Sequence, residues 1–314
     1  MAPQLIISAD DFGLTPGVNR AVQELAELGS ITATNVMVNM PHADHIFFLA
    51  TGHPQLSIGV HVNLTQGEPI LSPEQIPTLV NADGTFYSRK ELVKRAVHGR
   101  ISYEECVREI EAQVTRAFEL TGSHIDHWNS HEGVHRFEPI ASAAITVCRN
   151  ARIKGMRTHR HRFLGASRDR FPSLSQVIRL LKEVYYLWLF WRARRDFSLP
   201  DAVLARPEAT ALEVMRWITQ NPLPEGVWEL VCHPATTPHG LFGTTMVETR
   251  VCEYRYLISK EFRSAVTGAH ISLIGFTELY AQSVSGKGYN GLKTDQNDGT
   301  NELTPKVKTK IGPK

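Results

Sequence analysis

Asp10 and Asp11 stand side by side in Ile7-Ser8-Ala9-Asp10-Asp11-Phe12-Gly13, closing the apolar run Leu5-Ile6-Ile7. A short apolar run of this kind reads as a buried strand. Neighbouring side chains on a strand point to opposite faces. Two adjacent carboxylates can therefore serve one substrate only where the strand breaks, and Gly13 is expected to supply that break. Anions held so close repel unless a cation or a shared proton relieves them. A metal ion is the expected relief, with histidines completing its shell.

Three further segments offer those histidines. They are His61 in Gly59-Val60-His61-Val62-Asn63-Leu64, the stretch from His124 to His135, and His233-Pro234 after Trp228-Glu229-Leu230-Val231-Cys232. Two histidines and a carboxylate around an open position describe a hydrolytic metal centre. On that reading Asp11, His61 and one of His124, His127, His131 and His135 are ligands. Asp10 is the general base and His233 the candidate acid on the leaving-group side. Asn19, Asn63 and Asn129 are candidate contacts to substrate or to the ligands. Arg157, just beyond a predicted strand, is a candidate substrate contact within a basic neighbourhood.

These side chains need elements to carry them. Thr15-Pro16 is a helix start, with Val18, Val22, Leu25 and Leu28 at helical spacing and Gly29 as the stop. Strands are predicted near 31–38, 57–64, 124–129, 155–158, 227–232 and 270–275, with helices near 42–51, 103–120 and after 277. Ser102 with Glu105 reads as a capping box. Strands alternating with helices imply parallel βαβ units. About seven parallel strands suit an α/β fold of the (β/α) TIM-like barrel type, irregular or incomplete, whose chemistry gathers at the C-terminal strand ends.

The chain has 314 residues, enough for one large α/β domain, expected here over 1–284. A formal net charge of +2 gives no broad nucleic-acid footprint. Four cysteines without a Cys-x-x-Cys pair argue against a thiolate zinc site and for a reducing, cytoplasmic setting. No export signal is apparent. A basic aromatic helical insertion is expected near 172–200. It is too short and too charged to span a membrane; it reads either as a core or homodimer-interface helix with basic ends or as an interfacial helix at a membrane surface. From 285 to 314 the chain turns Gly-, Asn-, Thr- and Lys-rich, a composition expected to be disordered.

Taken in order, Ser8-Ala9-Asp10-Asp11-Phe12-Gly13 with Val18-Asn19, Gly59-Val60-His61-Val62-Asn63-Leu64, Ile125-Asp126-His127-Trp128-Asn129-Ser130-His131 and Cys232-His233-Pro234 resemble the YdjC-like (ChbG/HpnK) family of carbohydrate deacetylases. The spelling of the third segment looks closer to hopanoid-associated HpnK-like members. The resemblance implies a barrel-like hydrolase that uses one divalent metal ion to remove acetyl groups from N-acetylated amino sugars. For the hopanoid branch the substrate is an N-acetylglucosaminyl glycolipid. It implies Asp11, His61 and His131 as ligands and Asp10 as base. Where the family has His-x-His-x-His, this chain has His131, Gly133 and His135, so the outer pair is kept, with His135 a candidate substrate contact. Histidine ligands favour Zn²⁺, whereas one carboxylate with waters suits Mg²⁺. The alternatives are a non-catalytic sugar- or metal-binding protein with a degenerate site, or another metal-dependent hydrolase.

Overall fold

The computed structural model describes residues 2–122, 124–163, 174–205, 210–241 and 246–285. In chain order the elements are β1 (Gln4–Phe12), α1 (Pro16–Glu27), β2 (Ala33–Val36), α2 (Ile46–Gly52), β3 (Ser57–Val62), α3 (Arg89–Val97), α4 (Tyr103–Thr121) and β4 (His127–Ser130). There follow α5 (Ile140–Asn150), β5 (Gly155–Met156), β6 (His161–Phe163), α6 (Leu174–Ala193), β7 (Ala202–Ala205), α7 (Ala211–Gln220), β8 (Val227–Cys232), α8 (Val247–Leu257), α9 (Lys260–Gly268), β9 (Ser272–Leu273) and α10 (Phe276–Val284). The tail 286–314 and the start of the 172–200 insertion lie outside the described residues.

Every pairing between named strands is parallel, in the order β5-β4-β3-β2-β1-β8-β7-β6, with β9 joined to the start of β1. β5 pairs β4, and β6 pairs β7; residues 157–160 alone separate β5 from β6. The two therefore act as one interrupted strand that brings the ends of the sheet together. With β9 set aside as an addition to β1, the segments fill seven positions of an irregular, incomplete barrel, as the sequence pattern implies.

Alternation along the strands sorts side chains between two environments. Leu5, Ile7 and Ala9 of β1 share one buried cluster with Val18, Val22 and Leu25 of α1, in the layer between sheet and helices. Ile6 joins Ala33, Val227, Ile274, Phe276 and Leu279 in a separate apolar cluster at the end of the barrel where the strands begin. Above it the same face turns polar. Ser8, Asn35, His127, Glu229, Asp10, His61 and Asn129 are all buried there. Most of these groups bond one another, through Ser8, Asn35, Asp10, Asn129 and His61 together with Arg157, so the upper interior is largely a hydrogen-bonded network. Neither ring nitrogen of His127, by contrast, has a partner among the described residues.

Local signals behave largely as read. Thr15 Oγ1 accepts from Val18 N at 3.2 Å at the start of α1, and Gly29 and Gly122 end their helices at φ 63°. Ser102 caps α4, but Glu105 does not close the capping box. Its carboxylate accepts from Thr78 N and Oγ1 at 2.7 and 2.8 Å instead. Glu109 and Gln113 of the same helix face hold Ile70, Leu71 and Asn63. That buried polar stripe fixes the long loop after β3, part of which lines the cleft described next.

Candidate metal centre

The break in β1 differs from the one expected at Gly13. The strand continues to Phe12, but its pairing with β2 slips between Ala9 and Phe12, and Asp11 sits at φ 68°. A β-bulge of this kind re-aims one side chain. Asp10 keeps its inward orientation, and the left-handed Asp11 is turned to the same side. Gly13, at φ 99°, packs under Met37 O, where a Cβ would stand 3.0 Å from that oxygen on a backbone conformation that favours glycine.

Asp11 Oδ1 lies 2.9 Å from His131 Nδ1 and 3.2 Å from His61 Nε2. One donor atom from each of Asp11, His61 and His131 falls within 4.8 Å of the others. Bonds of about 2.0 Å from one divalent ion span such a triangle, and the one-carboxylate, two-imidazole set leaves positions open. Of the four histidines in the third segment, His131 is the one that reaches this cluster. His127 stacks on Phe276 at 3.9 Å deeper in the barrel, and His124 faces Thr121 O at 3.1 Å. Glu132 and Gly133 both have positive φ, 51° and 67°. This tight turn lets His131 and His135 line the same cleft.

Asp10 is buried beside the cluster. Arg157 grips it with Nη1 on Oδ2 at 2.6 Å and Nη2 on Oδ1 at 2.8 Å, and Asn35 donates to Oδ1 at 2.8 Å. Burial alone would raise the Asp10 pKa, but the Arg157 charge and hydrogen bonds outweigh it and hold the carboxyl well below the usual range. Arg157 also donates through Nε to Glu229 Oε1 at 2.8 Å. Burial wins at Glu229, whose pKa is raised. The interruption between β5 and β6 is what delivers Arg157 to this position.

Asn129 meets His61 Nδ1 at 2.5 Å. With its oxygen toward Arg157, the amide accepts from Nη1 and Nη2 at 2.8 and 2.9 Å, and its NH₂ donates to His61 Nδ1. The His61 proton is then on Nε2, facing Asp11. Turning the amide over makes Asn129 the acceptor of an Nδ1 proton and bares the Nε2 lone pair for a cation. Either way Asn129 sets the His61 tautomer.

At His131, burial pushes the pKa down, but Asp11 more than offsets this and the net shift is upward. Burial lowers His233 despite Asp11 and Asp10, and lowers His135 well below its ordinary value. Neither His233 Nδ1 nor His135 Nε2 has a hydrogen-bond partner among the described residues.

Asp10, Asp11, His61, His131, His135, Arg157 and His233 line one cleft of about 750 Å³. Asn129 lies beneath it. Asn19 and Asn63 are elsewhere: Asn19 accepts from Gly13 N at 2.7 Å and donates to His42 O at 2.9 Å, while Asn63 donates to Gln66 O at 2.7 Å. Both hold loops rather than face the cleft. Four buried residues escape the sequence reading. Asn35 and Glu229 complete the Asp10–Arg157 network. Arg250 Nη2 donates to Asp11 Oδ2 at 2.5 Å, and Glu253 accepts from His233 N at 2.7 Å. Glu229 had a signal, a carboxylate inside an apolar parallel strand; Arg250 and Glu253 look like ordinary helix charges.

A family model described as YdjC-like protein matches residues 4–267. A chitooligosaccharide deacetylase of Klebsiella pneumoniae (strain 342) is 30% identical over 83% of this chain and 93% of its own length. A carbohydrate deacetylase of Brevibacillus brevis is 27% identical over 88% and 99%. A carbohydrate deacetylase of Halalkalibacterium halodurans reaches 40%, over 44% of this chain and 56% of its own. The crystal structure of a protein from Enterococcus faecalis V583 superimposes with a TM-score of 0.69 at 26% identity, over 89% of this chain and 100% of that one.

Proposed function

The chain belongs to the YdjC-like family, and from that premise we propose that it is a metal-dependent hydrolase removing the acetyl group from an N-acetylated amino sugar. The carrying observation is the Asp11–His61–His131 cluster, with an ionised Asp10 beside it and His233 in the same cleft. When bound there, a divalent cation, Zn²⁺ or Mg²⁺, supplies a Lewis acid for the acetamide carbonyl and acidifies nearby water.

The chain's own groups do the rest. Asp10, fixed by Arg157 and Asn35, accepts a proton from the attacking water. Its low proton affinity makes it a carboxylate that passes the proton on readily. His233 is neutral when substrate enters, takes up the proton that Asp10 has drawn from the water, and gives it to the departing amine, which returns both groups to their starting state. His135 Nε2, without a partner among the described residues, lines the cleft where it can hydrogen-bond the sugar. A binding protein without catalysis, the alternative that Gly133 suggests, would hold sugar without releasing acetate.

Acetate release from N-acetylated oligosaccharides tests the reading. Release should stop with a chelator and return with Zn²⁺ or Mg²⁺. Asp10→Asn should retain the metal, measured by elemental analysis, while turnover falls about 10²–10⁴-fold. Full turnover in that variant overturns the role of Asp10.

The finer reading of the substrate is a hopanoid-type N-acetylglucosaminyl glycolipid, met by a cytoplasmic protein at a membrane surface. What supports it is α6. Val184, Trp188 and Trp191 are 59, 51 and 58% exposed and, with Leu187, fall on one helical stripe. Exposed Arg195 follows, and residues 184–195 include no acid. The helix adjoins the cleft, since Arg136, a lining residue, lies 5.7 Å over the Tyr186 ring. No helix among the described residues is long and apolar enough to cross a membrane. The cytoplasmic setting is supported by Cys106, Cys148, Cys232 and Cys252 all being unpaired.

A further inference from the structure

We propose that Arg250 is a positioning residue that confines Asp11 to one-oxygen coordination and, by its fixed charge, loosens the cluster's hold on its cation. This rests on the metal-centred reading above. Asp11 uses Oδ1 toward His61 and His131 and Oδ2 toward Arg250 Nη2. With Oδ2 so engaged, the carboxylate cannot chelate through both oxygens. The guanidinium also cancels the one negative charge among the three ligands, because both imidazoles bind as neutral groups.

The setting of Arg250 shows what it is for. It is 3% exposed, and its one ion pair among the described residues is with Asp11. Nε and Nη1 have no hydrogen-bond partner among the described residues. A buried arginine serving only to join α8 to the barrel would be expected to satisfy its full fork of donors. Here two of the three guanidinium nitrogens find no partner among the described residues, while the third is kept on the second carboxylate oxygen of Asp11. A cation bound at Oδ1 therefore meets a neighbouring positive charge in a poorly screened site, where such repulsion is large. The consequence is a weaker-held, more electron-poor ion, which suits polarising a carbonyl better than storing metal.

Competition with a chromophoric chelator, on metal-stripped full-length protein, reads this directly with Zn²⁺ as probe. Arg250→Gln removes the charge and keeps a donor for Oδ2; it should bind Zn²⁺ at least about tenfold more tightly, with kcat lowered more than KM is changed. Arg250→Lys keeps the charge, and its Zn²⁺ affinity should stay within about threefold of wild type. Unchanged or weaker binding in the folded Gln variant overturns the proposal. So does tightening in the Lys variant, which carries the test alone if Gln does not fold. Wild-type protein that binds no Zn²⁺ or Mg²⁺ would overturn the metal-centred reading itself, a different result from any of these.

Discussion

Asp10 and Asp11 are chain neighbours held by different partners. Asp10 is gripped by an arginine fork and held ionised; Asp11 is shared between two imidazoles and a second arginine. A third buried acid behaves otherwise. Burial pushes the Glu253 pKa up to about 7 from an ordinary 4.5. Between those values the unfolded chain ionises while the folded one keeps its proton, so this group's stabilisation is full below about pH 4.5 and is lost as pH rises through about 7. Glu253→Gln should abolish that loss. Thermal melts should show it gaining on wild type by up to about 3 kcal/mol from pH 5 to pH 8.5, and parallel pH profiles for both proteins would refute it. Legibility at this scale followed chemistry. Asp11, His61 and His131 could be read because each stands at a strand end in a residue type that binds metal. Arg250, 239 positions from Asp11, could not, since a lone arginine on a helix carries no mark of burial.

Among the elements, the interior face of the strands governs what can be changed. A Cβ at Gly59 in β3 would stand 2.4 Å from Asn35 Oδ1 and 2.6 Å from His127 Nε2. Asn35 is a partner of Asp10, so crowding there disturbs more than packing. Gly59→Ala should cost about 1–3 kcal/mol in urea unfolding, and should lower deacetylation turnover in the folded protein; an unaltered unfolding midpoint would contradict the close approach. Period-two alternation in β3 was readable because Ile58, Val60 and Val62 feed the helix layer while Gly59 and His61 face inward. β6 and β7 were not. Each is short, and Ala202–Ala205 shows no alternation. The capping box at Ser102 failed for a tertiary reason, because Thr78 offers Glu105 two donors at once.

For the whole molecule, the cleft and the exposed aromatic stripe of the neighbouring α6 are distinct surfaces that can be altered independently. Trp188→Ser with Trp191→Ser removes exposed surface that is no part of the cleft lining. This double variant should release acetate from a soluble N-acetyl sugar at the wild-type rate, yet lose co-sedimentation with vesicles of phosphatidylcholine and phosphatidylglycerol. Equal sedimentation of both proteins would detach the helix from any bilayer. The barrel that carries these features closes through very little ladder: two residues of β5 against β4 and three of β6 against β7. Amide protons along that join should exchange with solvent sooner than those of β1 or β8, because so few neighbouring bonds protect them. The guanidinium that restrains Asp10 hangs from this lightly fastened stretch of wall. Transient fraying there would raise the proton affinity of Asp10 while the rest of the fold stayed shut, tying the charge of one carboxylate to the breathing of one seam.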